Sequence, residues 1–137
     1  MDNTQQKKIL IVEDDQFLRE FYQELLQSEN YQVQAAAEGE AGLAMLREGG
    51  FNLVLLDIML PKKDGLQILR DLKIQPAKQQ NGPIVVLTNL GQGAIIKECF
   101  NLGAEGYLIK SALNPDEVLT EIKSFLQKAS PAGSGVS

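Results

Sequence analysis

Leu53-Val54-Leu55-Leu56-Asp57 decides how the chain folds. Four apolar residues without polar alternation describe a strand covered on both faces. A carboxylate follows at once, and an isolated charge deep in a sheet is very costly. Asp57 therefore belongs at the carboxyl end of a central strand, projecting into a crevice. Ile58-Met59-Leu60-Pro61 then leads the chain away.

Similar runs recur on either side. Lys8 to Val12 is a first strand closed by Glu13-Asp14-Asp15, and Ile84 to Leu87 is a fourth, ending on Thr88. Gly106 to Ile109 is a short fifth strand ending on Lys110. The second is different: Tyr31, Val33 and Ala35 alternate with Gln32 and Gln34, which describes an edge strand with one wet face.

Helical spacing fills the gaps. Leu18, Phe21, Tyr22 and Leu25 recur at i, i+3, i+4 and i+7, with Asp15 as the cap. Glu38 to Glu48 is a second helix stopped by Gly49-Gly50, with Glu38 and Glu40 facing the positive end of its dipole. Leu66 to Lys73 is a third. The fourth carries Ile95, Ile96, Cys99 and Phe100, and Gly91 and Gly93 at its start predict a frayed first turn. Asn114-Pro115 opens the fifth. Five strands alternating with five helices predict a parallel sheet covered on both faces. Residues 1–129 form one domain on this reading, and Ser130 to Ser137, small and Gly-rich, reads as a disordered tail.

Bulk properties narrow the function. The net charge of −5 argues against a nucleic-acid or membrane surface, so direct DNA binding is not expected. No apolar stretch approaches the roughly 20 residues of a membrane span. The polar start, Met1 to Gln6, is no signal peptide, and a single cysteine suits a reducing compartment. The expected location is the cytoplasm. With no histidine, chemistry must rest on carboxylates, hydroxyls, lysines or backbone.

Four of the five strands end in a polar, reactive residue. In open α/β sheets ligands bind beyond the carboxyl ends of the strands, where strand order reverses. With the order 2-1-3-4-5, Glu13, Asp14 and Asp57 meet in one crevice, and Thr88 and Lys110 line its rim. Three carboxylates repel one another, and a hard divalent cation resolves the conflict. Mg2+ prefers oxygen ligands and is commonly held by one or two carboxylates plus a phosphate. Asp57 is then a nucleophile able to form an aspartyl phosphate, with Lys110 adding positive charge and Thr88 donating a hydrogen bond to a phosphoryl oxygen.

Ile9 to Asp15, Leu56 to Pro61 with Asp64-Gly65, Leu87-Thr88, and Gly103 to Lys110 together resemble the receiver domain of two-component response regulators. The likeness covers about residues 7 to 128 and resembles the single-domain chemotaxis type in extent. It implies a flavodoxin-like, doubly wound (βα)5 fold. It implies that Asp57 accepts phosphate from a phosphohistidine on a sensor histidine kinase or phosphotransfer protein. It also implies Mg2+ on Asp14, Asp57 and the backbone carbonyl of Met59, with Glu13 assisting directly or through water. Thr88 would close on the phosphoryl group and Tyr107 would turn inward with it. The surface of the fourth helix, fifth strand and fifth helix would change, for a downstream protein target to read. Such a protein assists its own phosphorylation and dephosphorylation and is otherwise no enzyme.

Two residues depart from the family pattern. Glu13 stands where many relatives have Asp. Ser111 follows the lysine where many have proline after a cis bond, which without proline costs about 3 kcal/mol. A trans Lys110-Ser111 bond is predicted. Competing readings are a metal-dependent phosphohydrolase, a flavin-binding domain of the same fold, and a receiver that only docks. A second Asp two residues past Asp57 would mark the first, but Met59 stands there. Glu13-Asp14-Asp15 would repel a flavin phosphate. The oligomeric state stays open.

Overall fold

The structure, a computed structural model, describes residues 6–112 and 114–129. The Ser130 to Ser137 tail lies outside them. Strands and helices alternate as β1 (Lys8–Val12), α1 (Gln16–Ser28), β2 (Gln32–Ala36), α2 (Gly39–Glu48) and β3 (Leu53–Asp57). They continue as α3 (Gly65–Ile74), β4 (Ile84–Thr88), α4 (Gly93–Asn101), β5 (Gly106–Ile109) and α5 (Pro115–Ala129). All strand pairings are parallel, in the order β2-β1-β3-β4-β5. This is the doubly wound order the sequence predicts.

The unbroken apolar runs now have a cause. Successive strand residues face opposite sides, so a strand with helices on both faces needs apolar residues at every position. Leu10, Val12, Val54, Leu56 and Val86 pack with Leu43 and Leu46 of α2, Ile68 and Leu69 of α3 and Cys99 of α4. Ile9, Ile11, Leu53, Leu55, Val85 and Leu87 pack on the other side with Tyr22 and Leu26 of α1 and Val118 and Ile122 of α5. Each such buried aliphatic side chain contributes roughly 1.5–3 kcal/mol. At the edge, β2 keeps Gln32 and Gln34 exposed.

The helix ends follow local chemistry. Asp15 caps α1 by accepting from Leu18 N–H, and Asn114 Oδ1 accepts from Glu117 N–H in α5. Asp64 and Gln67 form a reciprocal capping box at the start of α3. That box draws Gly65 into the helix, one residue earlier than the apolar spacing suggests. Gly65 has to be glycine: a Cβ there would lie 2.8 Å from the Asp57 carbonyl oxygen. The first turn of α3 thus presses directly on the end of β3. At α4 the expectation of a helix starting among both glycines is corrected. Gly91, with φ of +85°, belongs to the preceding turn, and the helix begins at Gly93. No cis peptide bond occurs among the described residues, so Lys110-Ser111 is trans. Nor is any described helix long and apolar enough to cross a membrane.

Candidate functional site

Sheet register brings the polar residues together. Val12 pairs with Leu56, so Glu13 comes level with Asp57. Asp57 pairs with Leu87, which puts Thr88 one step beyond it, and Thr88 pairs with Ile109, which does the same for Lys110. Backbone bonds carry this register past the strands: Glu13 N–H to Ala36 O at 3.0 Å, Ile58 N–H to Leu87 O at 3.1 Å, and Lys110 N–H to Thr88 O at 2.7 Å.

Among the described residues, Glu13, Asp57 and Thr88 are the polar or charged ones buried in the fold. Asp14, beside them, is exposed. Lys110 reaches across β4 and donates to Asp57 Oδ2 at 2.8 Å; its Nζ lies 3.2 Å from Glu13 Oε1 and 3.4 Å from Oε2. Asp57 Oδ1 accepts from Met59 N–H at 3.0 Å, and Glu13 Oε2 accepts from Asp15 N–H at 3.0 Å. One oxygen from each of Glu13, Asp14 and Asp57 lies within 4.8 Å of the other two.

The electrostatics show a charge imbalance. Burial pushes the Glu13 carboxyl up to about 7, against the Asp15 N–H bond, and the Asp57 charge adds to the rise. Burial disfavours the Lys110 ammonium, but its hydrogen bond to Asp57 and the charges of Asp57 and Glu13 outweigh this and hold it above its ordinary value. Three carboxylates thus face one ammonium, and Glu13 Oε1 is buried without a hydrogen bond. A hard cation with several open positions suits this donor set. Tyr22 lies beneath: its hydroxyl is buried without a partner and raised to about 12, first by burial, then by the Glu13 and Asp57 charges.

Some residues of this region escape a reading of sequence. Gln92, ahead of α4, accepts the Thr88 hydroxyl at 2.7 Å and the Asn89 N–H at 2.9 Å through Oε1. The Thr88 hydroxyl therefore points to its own loop. Arg19 of α1 donates to the carbonyls of Glu13 at 3.0 Å and Asp14 at 3.2 Å, fixing the loop that carries both carboxylates. Lys63 pairs with Asp71 and lies 3.8 Å from Glu40, which braces the loop after β3. Tyr107 is 47% exposed and packs near Phe100, with ring centroids 6.5 Å apart. Cys99 is buried in the core, as its place on the apolar stripe predicts.

A 2-1-3-4-5 sheet with an acidic cluster, a hydroxyl and a lysine at its carboxyl edge defines the receiver class of signalling domain. Comparison with known proteins agrees. The profile of the response regulator receiver domain matches residues 9–123. The chain is 34% identical over 130 residues to transcriptional regulatory protein ResD of Bacillus subtilis, covering 95% of this chain and 52% of that protein. It is 36% identical over 122 residues to the probable transcriptional regulator ycf27 of Cyanophora paradoxa, covering 89% and 49%. The chain spans about half the length of these curated relatives. Among solved structures, a CheY-like receiver domain protein from Methanospirillum hungatei superposes with a TM-score of 0.81 at 31% identity, covering 94% of this chain and 100% of that one. The chain belongs to the response regulator receiver domain family, whose characteristic role is to accept a phosphoryl group in two-component signalling.

Proposed function

We propose that Asp57 is the phosphoacceptor and that a phosphohistidine on a sensor histidine kinase or phosphotransfer protein is the donor. One observation carries the reading. Asp57 lies at the carboxyl end of β3, buried, 2.8 Å from Lys110 and beside Glu13 and Asp14. A carboxylate oxygen of Asp57 attacks phosphorus as the P–N bond of the donor breaks, and the imidazole leaves with the electron pair of that bond. Lys110 stays within reach of the charge that develops on the phosphoryl oxygens. Thr88 exchanges its bond to Gln92 for one to a phosphoryl oxygen. Water attacking phosphorus later releases phosphate and restores the carboxylate. The chemistry acts on the domain's own side chain, so it is not a turnover enzyme.

Glu13, Asp14, Asp57 and the Met59 carbonyl would hold Mg2+. When bound, the ion neutralises charge on the reacting oxygens. Tyr107 would move inward with Thr88 and alter the α4-β5-α5 surface for a downstream protein. We read residues 1–129 as one receiver domain acting in the cytoplasm, without direct contact to DNA or membrane.

Incubation with Mg2+ and acetyl phosphate, followed by intact mass, tests this. The expected result is a mass increase in the wild type that chelation of the metal or Asp57→Asn abolishes. An equal increase in Asp57→Asn would refute the assignment, and steady release of phosphate from many monoesters would favour a phosphohydrolase.

A further inference from the structure

Tyr22 heads the fully buried side chains of the fold by size, and its hydroxyl has no hydrogen-bond partner. Packing alone does not call for that oxygen. Phenylalanine would bury the same ring, and an unused buried hydroxyl carries its full desolvation cost.

The place of the ring shows where the oxygen is used. Successive strand residues alternate between the two faces of a sheet. Ile9, Ile11 and Glu13 therefore share a face, as do Leu53, Leu55 and Asp57, and Leu108 and Lys110. The apolar members of these series pack with Tyr22. Glu13, Asp57 and Lys110 thus close the top of the layer that Tyr22 fills. Helical side chains lean toward the N-terminus of their helix, and α1 starts at the carboxyl edge of the sheet, so Tyr22 leans toward the site. Phe21 meets its ring edge-on, with centroids 5.3 Å apart.

Among the described residues, three buried side-chain atoms lack a hydrogen-bond partner: the Tyr22 hydroxyl, Glu13 Oε1 and Arg47 Nε. Arg47 belongs to α2, whose Leu43 and Leu46 pack on the opposite side of the sheet. A donor and an acceptor remain on one side. Burial first, then the Glu13 and Asp57 charges, keep the phenol protonated, so it has an O–H to give. An ionised carboxylate can only accept. Lys110 Nζ lies 3.2 Å from Glu13 Oε1 but donates to Oε2, at 3.4 Å, and Asp15 N–H also donates to Oε2.

We propose that Tyr22 is a positioning residue for the divalent cation: its O–H donates to Glu13 Oε1, directly or through one buried water, and fixes the carboxylate that faces Asp14 and Asp57. Asp15 N–H then holds one oxygen of Glu13 and Tyr22 the other, and each keeps a lone pair for the crevice. Glutamate has one more rotatable bond than aspartate, and the phenol beneath restrains it. Tyr22 acts on the affinity for the cation and takes no part in phosphoryl transfer. The inference rests on the Mg2+ site of the proposed function.

Tyr22→Phe keeps the ring and removes only the donor. Mg2+ alone is titrated into the protein, and affinity is read from amide shifts at residues 13–15 and 57–59. Tyr22→Phe should weaken Mg2+ about fivefold, the value of one net hydrogen bond. Its melting temperature without added metal should not fall, because the packing is intact. In a Glu13→Gln background the same change should shift affinity by less than about twofold, since the carboxylate that transmits it is gone. Tyr31→Phe, ahead of β2 at the far end of the sheet, should leave affinity at the wild-type value. At saturating Mg2+, Tyr22→Phe and wild type should be phosphorylated by acetyl phosphate at equal rates. Wild-type affinity in Tyr22→Phe, an undiminished effect in the Glu13→Gln background, or a rate defect that persists at saturating Mg2+ would each overturn the role of Tyr22 and leave the metal site standing. Absence of Mg2+-dependent shifts in the wild type would remove the metal site and Tyr22 with it.

Discussion

Lys110 is tied to Asp57 at 2.8 Å and to Glu13 at 3.2 Å, with its side chain 14% exposed. Removing it leaves two buried carboxylates facing each other without a counter-charge. Breaking such a pair costs roughly 3 kcal/mol. Lys110→Ala should lower the melting temperature of the metal-free protein, recover part of it with added Mg2+, and slow phosphorylation by acetyl phosphate. Thermal melts with and without the metal, and a mass time course, check this; unchanged stability would show that the ion pair does not hold the site. Gln92 gives a second test at this scale. Its Oε1 holds the Thr88 hydroxyl at 2.7 Å, so that bond must break before Thr88 turns to a phosphoryl oxygen. One hydrogen bond has a net value of about 1 kcal/mol, equivalent to about fivefold in a two-state population. Gln92→Met should raise the phosphorylated fraction at limiting acetyl phosphate by about that factor, and Gln92→Glu, which keeps an acceptor, should not.

The elements were legible in the sequence where the pattern was physical necessity. The apolar runs of β1, β3 and β4 state that both faces are covered, and the alternation of β2 states that it lies at an edge. Strand order converts four strand ends into one crevice, so the sequence pattern alone brings Asp57, Glu13, Thr88 and Lys110 together. The β4–α4 connection was less legible. Gly91 takes a positive φ in the turn, and Gln92 rather than a short polar residue precedes the helix without capping it. A long amide side chain has no preferred partner in sequence; turn geometry gives Gln92 its contacts to Thr88 and Asn89. The same holds for Arg19, whose carbonyl partners are set by where the β1–α1 loop runs, and for Lys63, which pairs with Asp71 eight residues on.

At the scale of the whole molecule the site links stability to pH and metal. The Glu13 carboxyl rises from 4.5 to about 7, chiefly through burial. Across that window the folded protein binds more protons here than the unfolded chain, so metal-free stability falls as pH rises through it. Lys110, held above its ordinary 10.5, stays protonated throughout and does not change the sign. A cation among Glu13, Asp14 and Asp57 replaces the proton on Glu13, and as pH rises through about 7 that proton is progressively lost and need not be displaced. Mg2+ should therefore raise the melting temperature more at pH 8 than at pH 5. Equal increments would mean that Glu13 takes no part in binding the metal.

The central claim is that Asp57, the carboxylate at the end of Leu53-Val54-Leu55-Leu56, takes the phosphoryl group. Its most direct test is reduction of the acetyl-phosphate-treated protein with borohydride, which converts an acyl phosphate to the alcohol, followed by peptide mapping. The account predicts one modified position, with homoserine replacing Asp57, found only when Mg2+ was present. Homoserine at Asp14 or another aspartate, with Asp57 intact, would contradict it.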